Sequence, residues 1–116
     1  MIVLQIQLSP EQGQEDELEE AVRRRFLPAM SRQPGFVQAY LTRPCSQEVL
    51  AAVGARKPSF QFQVTALWNS EEERMAWVAR DIHQEVWGEV DGLCAQASAL
   101  LLDVTQSWRD DRRADS

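Results

Sequence analysis

Along the first residues, Ile2, Leu4, Ile6 and Leu8 alternate with the polar Gln5 and Gln7. A period of two is the pattern of a strand with one face in a core, so Ile2 to Leu8 is expected to be strand one. Ser9-Pro10 is expected to stop it, because proline cannot donate to a ladder. The spacing then changes: Leu18, Ala21, Val22, Phe26, Ala29 and Met30 recur every three or four residues, with Glu15 to Glu20 supplying the wet face and a negative start. That is an amphipathic helix. Pro28 removes a backbone donor and crowds the turn before it, so the helix either kinks there or ends near Leu27 with a short second piece.

Pro34-Gly35 predicts a turn, proline setting one dihedral and glycine accepting a positive one. Strand two follows over Phe36 to Thr42 and strand three over Ser59 to Trp68, where Phe60, Phe62, Val64, Ala66 and Trp68 alternate with Gln61, Gln63, Thr65 and Leu67. Arg43 to Pro58 is a long connection whose middle, Glu48 to Ala55, carries a short helical pattern. Ser70 is placed to cap a second helix, its hydroxyl accepting from the amide of Glu73 and the Glu73 carboxylate reaching back. Met75, Val78, Ile82, Val86, Val90, Leu93 and Ala97 form the apolar stripe of that helix; Gly88 and Gly92 weaken it and predict a hinge between Arg80 and Gly88. Ala99 to Thr105 is expected as strand four, and residues 107–116 as a polar tail.

The order β-α-β-β-α-β, with a long-looped hairpin at its centre, predicts an α+β domain over residues 1–106. Its expected form is ferredoxin-like: a four-stranded antiparallel sheet with helices on one face. Ile2, Leu4, Ile6, Phe60, Phe62, Val64, Leu100, Leu102 and Val104 are expected beneath the helices. The other face would carry Gln5, Gln7, Gln61, Gln63, Thr65, Asp103 and Thr105, with Val3, Leu67 and Leu101 among them. It either meets water or meets the same face of a second copy.

Composition narrows the partners more than the fold. The 116 residues suit one domain, and 44% hydrophobic with 26% charged residues is ordinary for a folded chain. Eighteen acidic against twelve basic residues give a net charge of −6, which repels a phosphate backbone, so no nucleic-acid partner is expected. The basic runs Arg23 to Arg25 and Arg112-Arg113 have acids close by and read as solvated faces. The start at Met1-Ile2-Val3-Leu4 shows no secretory pattern, and an apolar run such as Val49 to Val53, unsurpassed in length along the chain, is far short of the roughly 20 residues of a membrane span. A cytoplasmic protein away from membranes is the expectation, with Cys45 and Cys94 as free thiols.

Candidate chemistry is concentrated in aromatic residues and one histidine. His83 is the only histidine, with Trp87 one turn later. It is either a partly exposed helix residue or a general base near neutral pH, beside a ring able to stack on a planar molecule. Trp77 lies roughly 140 to 160° from the Met75-Ile82-Leu93 stripe on an unbroken helix. An exposed tryptophan there would meet a partner chain, cover a ligand, or mark a break in the helix. Trp68 is either a corner anchor or a catalytic group, and Tyr40 either donates to a phenolate or quinone oxygen or packs on the sheet. One histidine without clustered cysteines or a carboxylate pair offers no metal set, and there is no glycine-rich phosphate loop, nucleophile elbow or triad.

Four stretches resemble the antibiotic biosynthesis monooxygenase family of dimeric α/β-barrel proteins. They are the opening strand with Gln14-Glu15-Asp16-Glu17-Leu18, then Leu27-Pro28-Ala29-Met30 running into Gln33-Pro34-Gly35-Phe36, then Ala66-Leu67-Trp68-Asn69-Ser70-Glu71-Glu72, and the helix to Val90 with its final strand. The resemblance implies a homodimer formed through the sheet face. It also implies a monooxygenase that acts without cofactor or metal on a planar aromatic or quinone-like molecule, whose own anion reduces dioxygen. The implied pocket lies between sheet and helices, with His83 and Trp68 as catalytic candidates and Tyr40, Phe62, Trp77 and Trp87 as substrate contacts. Of the three haem-degrading positions only Trp77 matches, Trp87 and Ile6 replacing the other two, which disfavours haem degradation. Trp68 matches the phenol-oxygenase tryptophan, while Val64, Arg74 and Gly88 stand at its other polar positions. The fold also hosts proteins without known activity, so a binding or scaffold domain is the alternative.

Overall fold

The structure, a computed structural model, describes residues 1–110; the last part of the expected tail, residues 111–116, lies outside the described residues. Four strands, β1 (Ile2–Pro10), β2 (Phe36–Thr42), β3 (Phe62–Trp68) and β4 (Cys94–Asp103), form one antiparallel sheet in the order β2-β3-β1-β4. Helices α1 (Glu15–Ala21), α2 (Leu27–Ser31), α4 (Glu71–Val78) and α5 (Asp81–Gly92) contribute to the core on one face, and α3 (Gln47–Ala52) sits in the hairpin connection with no buried residue. This is the ferredoxin-like α+β arrangement expected from the alternating spacing.

β1 is the central element, pairing with β3 on one side and β4 on the other. Its even-numbered side chains from Ile2 to Leu8 are buried against the helices, as the period of two requires. The strand runs on through Pro10, against expectation. Pro10 sits at a bulge opposite Cys94, where the ladder does not need its missing N–H.

Between α1 and α2 the backbone widens into a π-helical turn over Val22–Phe26, in which the amide of Leu27 donates to the carbonyl of Val22. This resolves the conflict posed by Pro28, which has no N–H for Arg24 and whose ring would crowd a regular turn. Phe26, Val22 and Met30 stay buried across the irregularity. Arg23, Arg24 and Arg25 occupy the outside of the turn: Arg23 and Arg24 pair with Glu20, and Arg25 ties the turn to α5 through Glu85 at 2.9 Å and Glu89 at 3.2 Å.

Ser70 caps α4 as expected, accepting from the Glu73 amide at 3.1 Å and donating its hydroxyl proton to the Glu73 carboxylate at 3.0 Å. The second helix then breaks at Ala79-Arg80, at the edge of the expected hinge rather than near the glycines. Arg80 is extended, and Asp81 places a carboxylate in the first turn of α5. Because α4 and α5 have different axes, the single stripe does not persist: Val86 and Val90 are buried, whereas Met75 and Ile82 are exposed.

β4 departs most from its expected course. It begins at Cys94, inside what the spacing assigned to the helix, and Ala97, Ala99 and Leu101 lie opposite Leu8, Ile6 and Leu4 on the helix-facing side. Leu100 and Leu102, expected in the core, lie opposite Gln5 and Val3 and point to the other face, each about half exposed. Phe60 precedes β3 instead of joining it, and Val104 follows β4, its amide donating to the carbonyl of Met1 at 3.0 Å. The outer sheet face is therefore striped. Leu67, Val3 and Leu102 form an apolar row, and Gln63, Gln7 and Ser98 form a polar row in which Gln7 donates to Gln63 at 3.3 Å and Ser98 to Gln7 at 3.5 Å.

Candidate functional site

A cleft of about 320 Å³ opens between the β1–β4 side of the sheet and the helices. Its floor is Leu4 and Ile6 of β1 with Ala97 and Ala99 of β4, and the two small side chains leave the space unfilled. The helices supply the walls. The widened turn brings Phe26 in, α4 brings Arg74 and Trp77, and α5 brings His83, Trp87 and Asp91. Phe26 is the aromatic centre, its ring centroid 5.6 Å from Trp87, 6.4 Å from Trp77 and 6.5 Å from His83. A wider groove of about 780 Å³ between α1 and α5 is open and lined largely by charged groups such as Glu20, Arg24, Arg25 and Glu89. It has no aromatic wall.

Trp77 is 2% exposed, so of the alternatives raised for it the structure shows the break in the helix rather than an exposed ring. The phase calculated for one continuous helix does not apply once α4 ends at Val78. His83 is half-buried, and its Nδ1 is shielded from solvent without a hydrogen-bond partner among the described residues. Burial, and secondarily the Arg74 guanidinium, push its pKa below the usual histidine range, so the ring is neutral at pH 7. A neutral imidazole can take or give a proton, and His83 presents part of its ring to the cleft while Nδ1 stays covered.

Arg74 is the cation of the cleft. Its Nε donates to Glu71 Oε2 and its Nη2 to Glu71 Oε1, both at 2.7 Å, a two-point clasp that holds Glu71 below the usual carboxylate range. Among the described residues no group of three histidine, cysteine or carboxylate side chains converges as a metal site.

The cleft thus brings together Trp77, His83 and Trp87, but not the other three residues singled out in the sequence. Trp68 is fully buried beneath the opposite end of the sheet, edge-on to Phe36 at 5.7 Å, with its Nε1 lacking a partner among the described residues. Phe62 is buried in the core outside the cleft wall. Tyr40 pairs with Thr65 on the outer sheet face and is 54% exposed, so its hydroxyl does not reach this cleft. Phe26, Arg74 and Asp91 were not singled out as site residues. Two signals pointed to Arg74: it stands at one of the polar positions of the resembled phenol oxygenases, and it precedes Trp77 by three positions, the spacing that puts two residues on one helix side.

Residues 1–87 match the family described as antibiotic biosynthesis monooxygenase. No curated protein matches the chain significantly in sequence. Among solved structures, a mutant of SnoaB, a cofactor-independent oxygenase from Streptomyces nogalater, superposes with a TM-score of 0.72 at 16% identity, covering 94% of this chain and 97% of its own. A dimeric ferredoxin-like protein of unknown function from Thermobifida fusca has a TM-score of 0.70 at 12% identity, over 89% of this chain and 90% of its own. A mutant of MhuD with two manganese protoporphyrin IX bound per active site gives 0.68 at 21% identity, over 95% and 100%. No helix among the described residues is long and apolar enough to cross a membrane.

Proposed function

The chain belongs to the antibiotic biosynthesis monooxygenase family, and on that premise we infer that it oxygenates a planar aromatic or quinol-like molecule, without metal or flavin, in the cleft under α4 and α5. The observation that carries this reading is the convergence of Phe26, Trp77 and Trp87 around a neutral His83 whose Nδ1 has no partner among the described residues. Trp87 is only partly buried and can offer a face to a flat substrate, Phe26 and Trp77 backing it from the core, and the cleft's volume suits a polycyclic molecule in part.

His83, through Nε2, the ring nitrogen that is not covered, takes the proton whose loss makes the substrate an electron-rich anion, and that anion supplies the electrons to dioxygen. For an anthrone-type substrate the balance is closed: one oxygen atom becomes the new quinone carbonyl, and the other leaves as water with the two hydrogens of the oxidised carbon. The protein's share is to bind, deprotonate and keep water away. The test is oxidation of anthrone followed by quinone absorbance. Turnover above the buffer background, falling about 100-fold in His83→Ala, is expected; no turnover in the wild type overturns the reading.

A second reading, a binding domain that does not turn over, draws on the buried Val64 and the open Gly88 at positions where the phenol oxygenases resembled by this sequence carry polar groups. Tight binding of the same compound without oxygen consumption would select it.

The assembly expected under either reading is a homodimer through the outer sheet face. Its support is the apolar row of Leu67, Val3 and Leu102 and the dimeric description of the Thermobifida fusca protein. Light scattering at micromolar concentration should give twice the chain mass, and a monomer mass would sink this.

A further inference from the structure

We propose that Arg74 makes the cleft selective for aromatic acids: its free guanidinium edge binds a carboxylate on the planar ligand and thereby aims the ring at His83. This rests on the reading that the cleft takes a planar aromatic molecule, and it adds the charge that molecule carries.

Three observations lead there. Arg74 is the charged side chain that α4 contributes to the cleft lining, and only 15% of it is exposed. Glu71 occupies Nε and Nη2 but leaves Nη1 without a hydrogen-bond partner among the described residues. A guanidinium offers five N–H donors in a fixed plane, and donors left unpaired beside a largely apolar wall favour an anionic acceptor. The same clasp fixes the direction in which the free edge points, because Glu71 sits three residues earlier on the same helix. A side chain held in this way does not lose much freedom when a ligand arrives.

The other charged group at the cleft sets which end the acid occupies. Asp91 also lines it, eight residues beyond His83 along α5, which is about 12 Å of helix. A carboxylate near Asp91 would be repelled, whereas one at the α4 end meets Arg74. Arg74 and His83 line the same cleft, on its α4 and α5 walls. An anion held by Arg74 therefore brings the adjoining ring into the cleft that His83 and Trp87 line. Arg74 is a binding and positioning residue in this arrangement, and His83 remains the proton acceptor.

The test uses two probes of nearly the same shape, anthracene-9-carboxylate and the neutral anthracene-9-methanol, titrated into the full chain by calorimetry at pH 7.5. The wild type should bind the carboxylate about tenfold more tightly or better, as expected for charge-assisted hydrogen bonds. Raising the salt concentration should weaken the carboxylate alone, a comparison that needs no variant. Arg74→Gln should remove the preference while keeping the affinity for the alcohol, and Arg74→Lys should retain part of it. Equal binding of both probes by the wild type overturns the proposal and leaves the planar-aromatic reading intact. Binding of neither probe overturns both. An equal loss for both probes in Arg74→Gln shows that Arg74 merely supports the wall, which also overturns it.

Discussion

The imidazole of His83 stands edge-on to the indole of Trp77, with 5.0 Å between ring centroids and 87° between planes. The contact crosses the break at Ala79-Arg80, so it exists only because α4 and α5 are separate helices. Trp77→Ala should therefore cost about 3–5 kcal/mol, the loss typical of a large aromatic removed from a core, read as a lower urea midpoint. Trp77→Phe keeps a ring and should lose less. A loss under about 0.5 kcal/mol for Trp77→Ala is what an exposed residue on an unbroken helix would give, and would refute the break.

His83 can be followed directly because it is the only histidine. Its imidazole should titrate below the ordinary histidine range, burial being the larger cause and Arg74 the second. The sign for stability follows. The unfolded chain takes up this proton at a higher pH than the folded one, so the neutral ring's contribution is complete above the unfolded pKa and is lost as pH falls through the folded one. Proton NMR should show Arg74→Gln raising the titration midpoint, with Asp91 left as the charged neighbour on the cleft. Melting curves should fall more between pH 7.5 and 5.5 for the wild type than for His83→Asn. An unshifted midpoint in both proteins would count against the buried imidazole.

The two thiols should differ sharply. Cys45 is exposed, whereas Cys94 is half-buried and its pKa is pushed up to about 11, by burial first and then by Asp91 and Glu11. A disulfide reagent at pH 8 should release one equivalent quickly, and Cys45→Ser should abolish that fast phase. Two fast equivalents in the folded protein would contradict the placement of Cys94.

Gly35 lies at φ +88°, and a Cβ there would collide with the Glu73 side chain, while its carbonyl accepts from the Asn69 amide at 2.8 Å. Gly35→Ala should cost about 1–2 kcal/mol from the backbone alone, before the collision is counted. The same change made in a Glu73→Ala background should cost less, which separates crowding from strain in thermal melts.

Much of the fold was legible because β1 and β3 alternate cleanly, and because Ser70, Pro34 and Gly35 have local chemistry that fixes their roles. β4 was not. Leu93 and Ala97 continue the three-to-four spacing of Val86 and Val90, and Leu100-Leu101-Leu102 has no alternation to reveal its face. Its register comes instead from pairing with β1 and the bulge at Pro10, which is long-range information. In the site, the grouping of Trp77, His83 and Trp87 on the second helix was visible, but Trp77's burial needed a break that no glycine or proline marks. Phe26 reaches the cleft from a π-helical turn, which shifts the helical phase in a way periodicity does not anticipate.

The break between α4 and α5 makes the cleft a pair of jaws hinged outside the bite. Arg74 and Trp77 ride on one jaw, His83 and Trp87 on the other, while Ala79 and Arg80 at the pivot are exposed and absent from the lining. Substrate range in such a design can drift through the pivot, where a changed residue alters the aperture without touching the molecule held inside. Selection acting on size could then work separately from selection acting on the chemistry of the lining.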